Sequence, residues 1–261
     1  MTVTIDWVEI PHGEFIFGLE SNWAENAVHQ LVNANPQALK RATARMSSEM
    51  PAQRVYLPTF YISRYPITWQ QLLEFAQTSH WNPTNTGIRP DVFELVYKSY
   101  KETVEGTYKV AEHPADVIWQ TARAFCKWVR GRLPTSEEWE KAARGTDGRI
   151  YTWGNEWDET RGNFGPGRGL YATTPINAYP SGQSPYGVMD MLGNMYEHTG
   201  SIVDFNGTNR SVCRSCSCHY TMAASDNDPQ WFRNRVTSTM PIPMAVGGPP
   251  LVCFRPVKDR L

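Results

Sequence analysis

The sequence predicts a single α+β domain with much irregular structure, and three observations predict it. The chain has 261 residues, enough for one large hydrophobic core, and no linker-like composition divides it, so 1–261 reads as one domain. Strand-like and helix-like segments alternate through the first half with no repeat of fixed period. The composition sets 19 Gly and 19 Pro against 10 Trp, 12 Tyr and 10 Phe. Aromatic side chains fill volume with few torsions to freeze, and Gly and Pro fix turns, so well-packed loops take the place of long helices.

Residues 5–18 (IDWVEIPHGEFIFG) alternate apolar and polar positions around Pro11-His12-Gly13 and read as a β-hairpin. Residues 23–50 are rich in Ala, Gln and Arg and read as a helical insertion, punctuated by Pro36. Strand character returns over 54–68. Thr68 is placed to cap a helix over 69–80 whose apolar face is Leu72, Leu73, Phe75 and Ala76. Residues 82–112 read as loop. A helix over 119–131 buries Ala122, Phe125, Cys126 and Val129 and stops at Gly131. Another, over 136–145, starts from a Thr135/Ser136 cap with acids in its first turn, where they suit the helix dipole. Beyond residue 146 no long helix is expected.

Charge and hydropathy exclude several function classes. Twenty-five Lys and Arg against 26 Asp and Glu leave a net charge of −1, which speaks against nucleic-acid binding through a basic field. Mean hydropathy is −0.48, and no apolar run is long enough to span a membrane. The N-terminus lacks the basic start and apolar block of a signal peptide, so the expected compartment is the cytoplasm. The 5 cysteines, an odd number, argue against a disulfide framework.

Three segments carry a family resemblance: HPADVIWQTARAFCKWVRGRLPTSEEWEKAARG (113–145) with YTWGNEWD (151–158), YPSGQSPYGVMDMLGNMYEHTG (179–200), and FRNRV (232–236) with CFRPV (253–257). Together they resemble the formylglycine-generating enzyme or sulfatase-modifying-factor family. The resemblance implies a C-type-lectin-like fold spanning nearly the whole chain. The family holds copper-dependent formylglycine synthases, non-haem iron sulfoxide synthases and binding proteins, so function must be argued from sites.

The synthases hold copper through two cysteines that follow a Gly-Gly-Ser strand, and soft thiolates suit Cu(I). With Ser217 aligned to the family serine, a register that the spacing to Arg233 supports, the copper positions fall on Tyr220 and Ser225, which supply no thiolate. A second register places Cys213 and Cys218 on the copper pair and keeps a copper-dependent oxidase, acting on a peptide or small thiol, as the alternative. A third reading takes Cys213, Cys216, Cys218 and His219 as a zinc or copper cluster. On an extended strand Cys213 would point away from the other two thiols, which favours small buried thiols instead. The iron reading meets only 6 histidines and no His-x-x-x-His pair, with His12 and His113 in structural positions. For calcium, which takes hard oxygen ligands, the resemblance implies Glu197 with the carbonyls of Gly193 and Met195, and a second site at Asn163. The competing reading pairs Glu197 with a core arginine.

The region of about 211–257 is then expected to carry a variable ligand-binding surface. Its candidate residues are Cys213, Arg214, Ser215, Cys216, Cys218, His219, Tyr220 and Asn234, with Trp231 and Phe232 as anchors. Small polar groups around rigid aromatics are what variable recognition surfaces use. Some relatives are variable proteins of diversity-generating retroelements, in which adenine-directed mutation turns Asn codons into Ser, Cys, His, Arg or Tyr. Those residue types crowd 213–220. The expected partner is an unidentified protein or small molecule.

Overall fold

The computed structural model of the chain describes residues 3–32, 43, 46–47, 49–79, 110–165, 173–215, 235–243 and 252–261. Strand β1 (Trp7–Ile10) is followed by β2 (Gly13–Phe17), helix α1 (Ser21–Val32), β3 (Gln53–Leu57) and β4 (Phe60–Ser63). The opening segment does not form the expected hairpin. β1 pairs antiparallel with β4, and β2 with β3, so two bent ribbons lie arm against arm. The corner between β1 and β2 explains why. Its carbonyls, Pro11 O and Gly13 O, accept hydrogen bonds from Lys141 Nζ at 2.7 and 2.9 Å, and Gly13 sits at φ +133°, which turns the chain outward. β4 then pairs with β9 (Val257–Lys258), completing the sheet order β1-β4-β9.

The expected helices form where their caps lie. Helix α2 (Trp69–Thr78) opens on a reciprocal cap: Gln71 N donates to Thr68 Oγ1 at 3.3 Å, and Thr68 N donates to Gln71 Oε1 at 3.0 Å. Helix α3 (Trp119–Trp128) ends three residues before Gly131; Arg130 takes φ +58°, and Gly131 N bonds back to Cys126 O at 2.8 Å. Helix α4 (Ser136–Arg144) repeats the reciprocal cap with Thr135 and Glu138 and ends at Gly145, φ +73°. Of the segment read as loop, 82–112, residues 82–109 lie outside the described residues and Val110–Glu112 form a single 3-10 turn.

Two apolar clusters hold these elements. One centres on Trp139 of α4 and gathers Ile10, Phe60, Ile62, Met191 and Val257. The other joins α2 to α3: the Phe75 and Phe125 rings lie 5.4 Å apart, and Phe254 lies 5.3 Å from Phe125. Burying one such ring contributes about 1.5–3 kcal/mol.

The third layer is a sheet of β5 (Tyr196–Phe205), β6 (Thr208–Arg214), β7 (Thr239–Pro243) and β8 (Val252–Phe254) in the order β7-β6-β5-β8, with β8 parallel to β5. Its inner half is buried on both faces. The outer ends of β5 and β6 project as a ribbon turning at Asn206-Gly207 (φ +54° and +75°), on which Ile202, Val203 and Phe205 are exposed. Among the described residues no helix is long and apolar enough to cross a membrane.

Candidate functional site

The inner ends of β5, β6 and β8 hold the residues on which the sequence reading turns. Register sets Glu197 opposite Arg214 and Cys253, and His198 opposite Cys213 and Phe254. Successive side chains on a strand point to opposite faces, so two polar groups form, one on each side of the sheet.

On the face toward α4, Glu197 is fully buried. Its Oε1 accepts from Arg255 Nη2 at 2.6 Å, and its Oε2 accepts from Arg255 Nε at 2.7 Å and from Trp139 Nε1 at 2.9 Å. Arg255 also reaches the carbonyls of Ser63, Arg64 and Met189 at 2.9–3.1 Å, which fixes the guanidinium. The competing reading of Glu197 is therefore the one the geometry matches. A calcium ion at this carboxylate would have to displace a bidentate arginine, and Glu197 does not fit as its ligand. The structure does bring the other calcium candidates together. Asn194 N donates to Asn163 O at 2.8 Å, and a side chain at Gly193 (φ +88°) would meet that same carbonyl at 2.9 Å. Met195 is buried beside them. Asp190, which the sequence reading missed, accepts from Asn194 Nδ2 at 3.0 Å, and burial pushes its carboxyl up to about 7. Among the described residues no three His, Cys, Asp or Glu side chains converge to hold a metal ion.

On the opposite face, His198 Nε2 lies 2.9 Å from Val117 O. A carbonyl only accepts, so Nε2 carries the proton; Nδ1 is then bare and accepts from the Cys213 thiol at 3.4 Å. Burial pushes His198 down to about 4 and Cys213 up to about 12, so both are neutral near pH 7. Cys213 is fully buried, its sulfur turned to His198 and not to solvent. Cys126 and Cys253 are also buried free thiols, and burial raises both. Cys218, Tyr220 and Ser225, the other copper positions, lie outside the described residues, as do Cys216 and His219 of the proposed cluster.

Arg214 and Ser215 correct the expected binding surface. The sequence reading places Arg214 among exposed positions, yet both residues are 1% exposed. Arg214 Nη2 donates to Glu140 Oε2 and, at 2.9 Å, to Val236 O; Arg144 donates to the other oxygen of Glu140 at 2.8 Å. Both faces of this sheet are covered, so strand alternation does not expose every second residue. Arg235 is buried in the same way: it donates to Glu49 at 2.7 and 2.9 Å, and Glu49 Oε2 also accepts from Thr237 Oγ1 at 2.5 Å. Paired guanidinium groups thus fix the chain on either side of 216–234, and Arg214 bonds one side to the other. Trp231, Phe232 and Asn234 lie outside the described residues.

The two histidines read as structural are so placed. His12 lies at the exposed corner, its backbone N bonded to Thr59 Oγ1 at 3.1 Å, and buried His113 meets Thr173 Oγ1 at 2.9 Å through Nδ1. His198 was not singled out. The signal available was its alternation with Glu197 on a strand whose neighbour carries Cys213.

Residues 3–235 match the family model described as the sulfatase-modifying factor enzyme 1-like domain. The chain is 39% identical over 134 residues to the inactive C-alpha-formylglycine-generating enzyme 2 of Bos taurus, covering 48% of this chain and 43% of that protein. It spans under half the length of the curated relatives it matches. Among solved structures, PvdO from Pseudomonas aeruginosa is similar with a TM-score of 0.62 at 19% identity, over 97% of this chain and 93% of that one. Treponema denticola variable protein 1 is similar with a TM-score of 0.61 at 15% identity, over 99% and 96%. At these identities the two structures speak to fold alone.

Proposed function

The chain belongs to the sulfatase-modifying factor enzyme 1-like family and has its C-type-lectin-like fold, and from that premise we propose that it is a ligand- or protein-binding member that does not make formylglycine. The recognition surface is assigned to 216–234, with Cys216, Cys218, His219, Tyr220, Trp231, Phe232 and Asn234 as its contact residues. Cys213, Arg214 and Ser215 belong to its base.

The observation that carries this reading is the placement of Cys213: it is fully buried, with its Sγ 3.4 Å from His198 Nδ1. A copper oxidase needs a thiolate at that strand, open to substrate. Arg214 adds support for display, since it ties the strand before the segment to the carbonyl of Val236 after it. The inactive relative from Bos taurus is consistent with the same reading. Retroelement diversification within 211–257 is part of the proposal, confined to 216–234 and resting on the Cys, Ser, His and Tyr at Cys216, Ser217, Cys218, His219 and Tyr220. The proposed compartment is the cytoplasm, on the odd number of cysteines in the sequence.

The test is a Cu(I) titration of the reduced protein. The expected result is no tight stoichiometric binding. Sub-nanomolar binding abolished in Cys213→Ser or Cys218→Ser would establish the oxidase alternative in its place. Comparing the 3′ end of the gene with a neighbouring template repeat tests the diversification; without such a repeat that part of the proposal is withdrawn.

A further inference from the structure

A second site lies away from this sheet, on the turn that follows α4. Tyr151 and Gly154 bond to each other across a tight loop (Tyr151 N to Gly154 O 2.9 Å, Gly154 N to Tyr151 O 3.2 Å), which brings Trp153 and Trp157 side by side. The rings are anchored from behind. Tyr151 stacks on Trp153 at 5.4 Å with planes 12° apart, and Phe164 packs on Trp157 at 4.7 Å. Trp153 Nε1 donates to Glu156 O at 2.9 Å, which fixes the indole edge. Both tryptophans are half-buried and line an open groove of about 690 Å³.

The charge of this groove is one-sided. Arg161 donates to Asp158 Oδ2 at 2.8 Å and to Ser181 O at 3.0 Å, so that cation and that anion offset each other. Glu156 and Glu159 on the same rim are exposed and have no ion-pair partner among the described residues. A groove lined by two half-buried indoles and by two carboxylates without an ion-pair partner among the described residues disfavours anions and favours a positive charge against an aromatic ring. The indole planes are inclined at 51° with centroids 6.1 Å apart, forming a V and not a parallel slot. A rounded alkylammonium head can touch both inclined rings at once, whereas a flat guanidinium stacks on one face only.

We propose that the Trp153–Trp157 groove binds an alkylammonium cation, with Glu156 and Glu159 supplying the opposing charge. This site is independent of the binding surface proposed above, and either can stand without the other. The test is a titration of the full chain with choline, read as the upfield ring-current shift of its N-methyl protons. A saturable shift is expected, reduced about tenfold or more in affinity for the neutral carbon isostere of choline, as loss of cation–π and charge attraction requires. The exposed double variant Glu156→Gln/Glu159→Gln, which should fold normally, is expected to weaken choline by a similar factor. Trp157→Ala is expected to abolish the shift. No saturable shift, equal affinity for the isostere, undiminished binding by the double variant, or saturation by arginine in preference to choline would each overturn the proposal.

Discussion

Acidification should act on the protein through His198, and the effect can be worked out with its sign. The folded-state value, about 4, lies below the ordinary 6.5 because the imidazole is buried. Between those values the unfolded chain takes up the proton first, so stability falls as pH drops from about 6.5 toward 4. At about pH 5 the linkage relation gives about 2 kcal/mol lost relative to neutral pH. Asp190 acts in the opposite sense: its carboxyl is raised from 3.8 to about 7, so the folded state binds the proton first and gains stability over much of the same range. Buried Asp116, raised to about 6, acts in the same sense as Asp190, so the wild-type profile sums one loss and two gains, and the difference between variants isolates each. Urea unfolding of wild type and His198→Gln, followed by tryptophan fluorescence near pH 7.5 and near pH 5, is the measurement. His198→Gln costs stability at neutral pH but should lose about 2 kcal/mol less than wild type on acidification, and Asp190→Asn should remove the larger of the two carboxyl gains. A His198→Gln profile parallel to that of wild type would refute the argument.

Three further outcomes are expected. Glu197→Gln removes the partner of a fully buried guanidinium and should cost about 3–5 kcal/mol, with Tm unchanged by calcium or chelator in both wild type and variant. A calcium-dependent Tm in wild type that is lost in Glu197→Gln would show that Glu197 releases Arg255. Alkylation of the native protein followed by peptide mass mapping should leave Cys126, Cys213 and Cys253 unmodified, and unfolding should expose all three; native-state labelling of Cys213 would contradict its burial. Phe125→Ala should cost about 3–5 kcal/mol, because its ring packs against Phe75, Trp128 and Phe254, and denaturant midpoints will check it.

Much of the fold was legible because its signals are local. Thr68 and Thr135, each followed three residues later by Gln or Glu, announce helix starts that do not depend on tertiary context. The pairing of β1 and β2 was not legible. Alternation shows that Trp7–Ile10 and Gly13–Phe17 are strands but does not say which strand each meets, and the deciding interaction comes from Lys141, far along the chain. The site divides the same way. The pairing of Glu197 with a core arginine could be anticipated as an alternative, whereas the inward turn of Arg214 could not. A guanidinium on a strand reads as solvent-facing until Glu140 on a separate helix is known to lie above it. The groove of Trp153 and Trp157 was present in the letters YTWGNEWD, but only ring geometry separates two packed indoles from a recess.

The bond from Arg214 to the carbonyl of Val236 bears on how this family member can change over generations. Arg214 is held by Glu140 and Arg235 by Glu49, so the two described flanks of 216–234 are joined to the body through two buried acids and to each other through one guanidinium. Removing either acid would strand a buried arginine, so a single change at Glu140 or Glu49 unseats a whole flank at once.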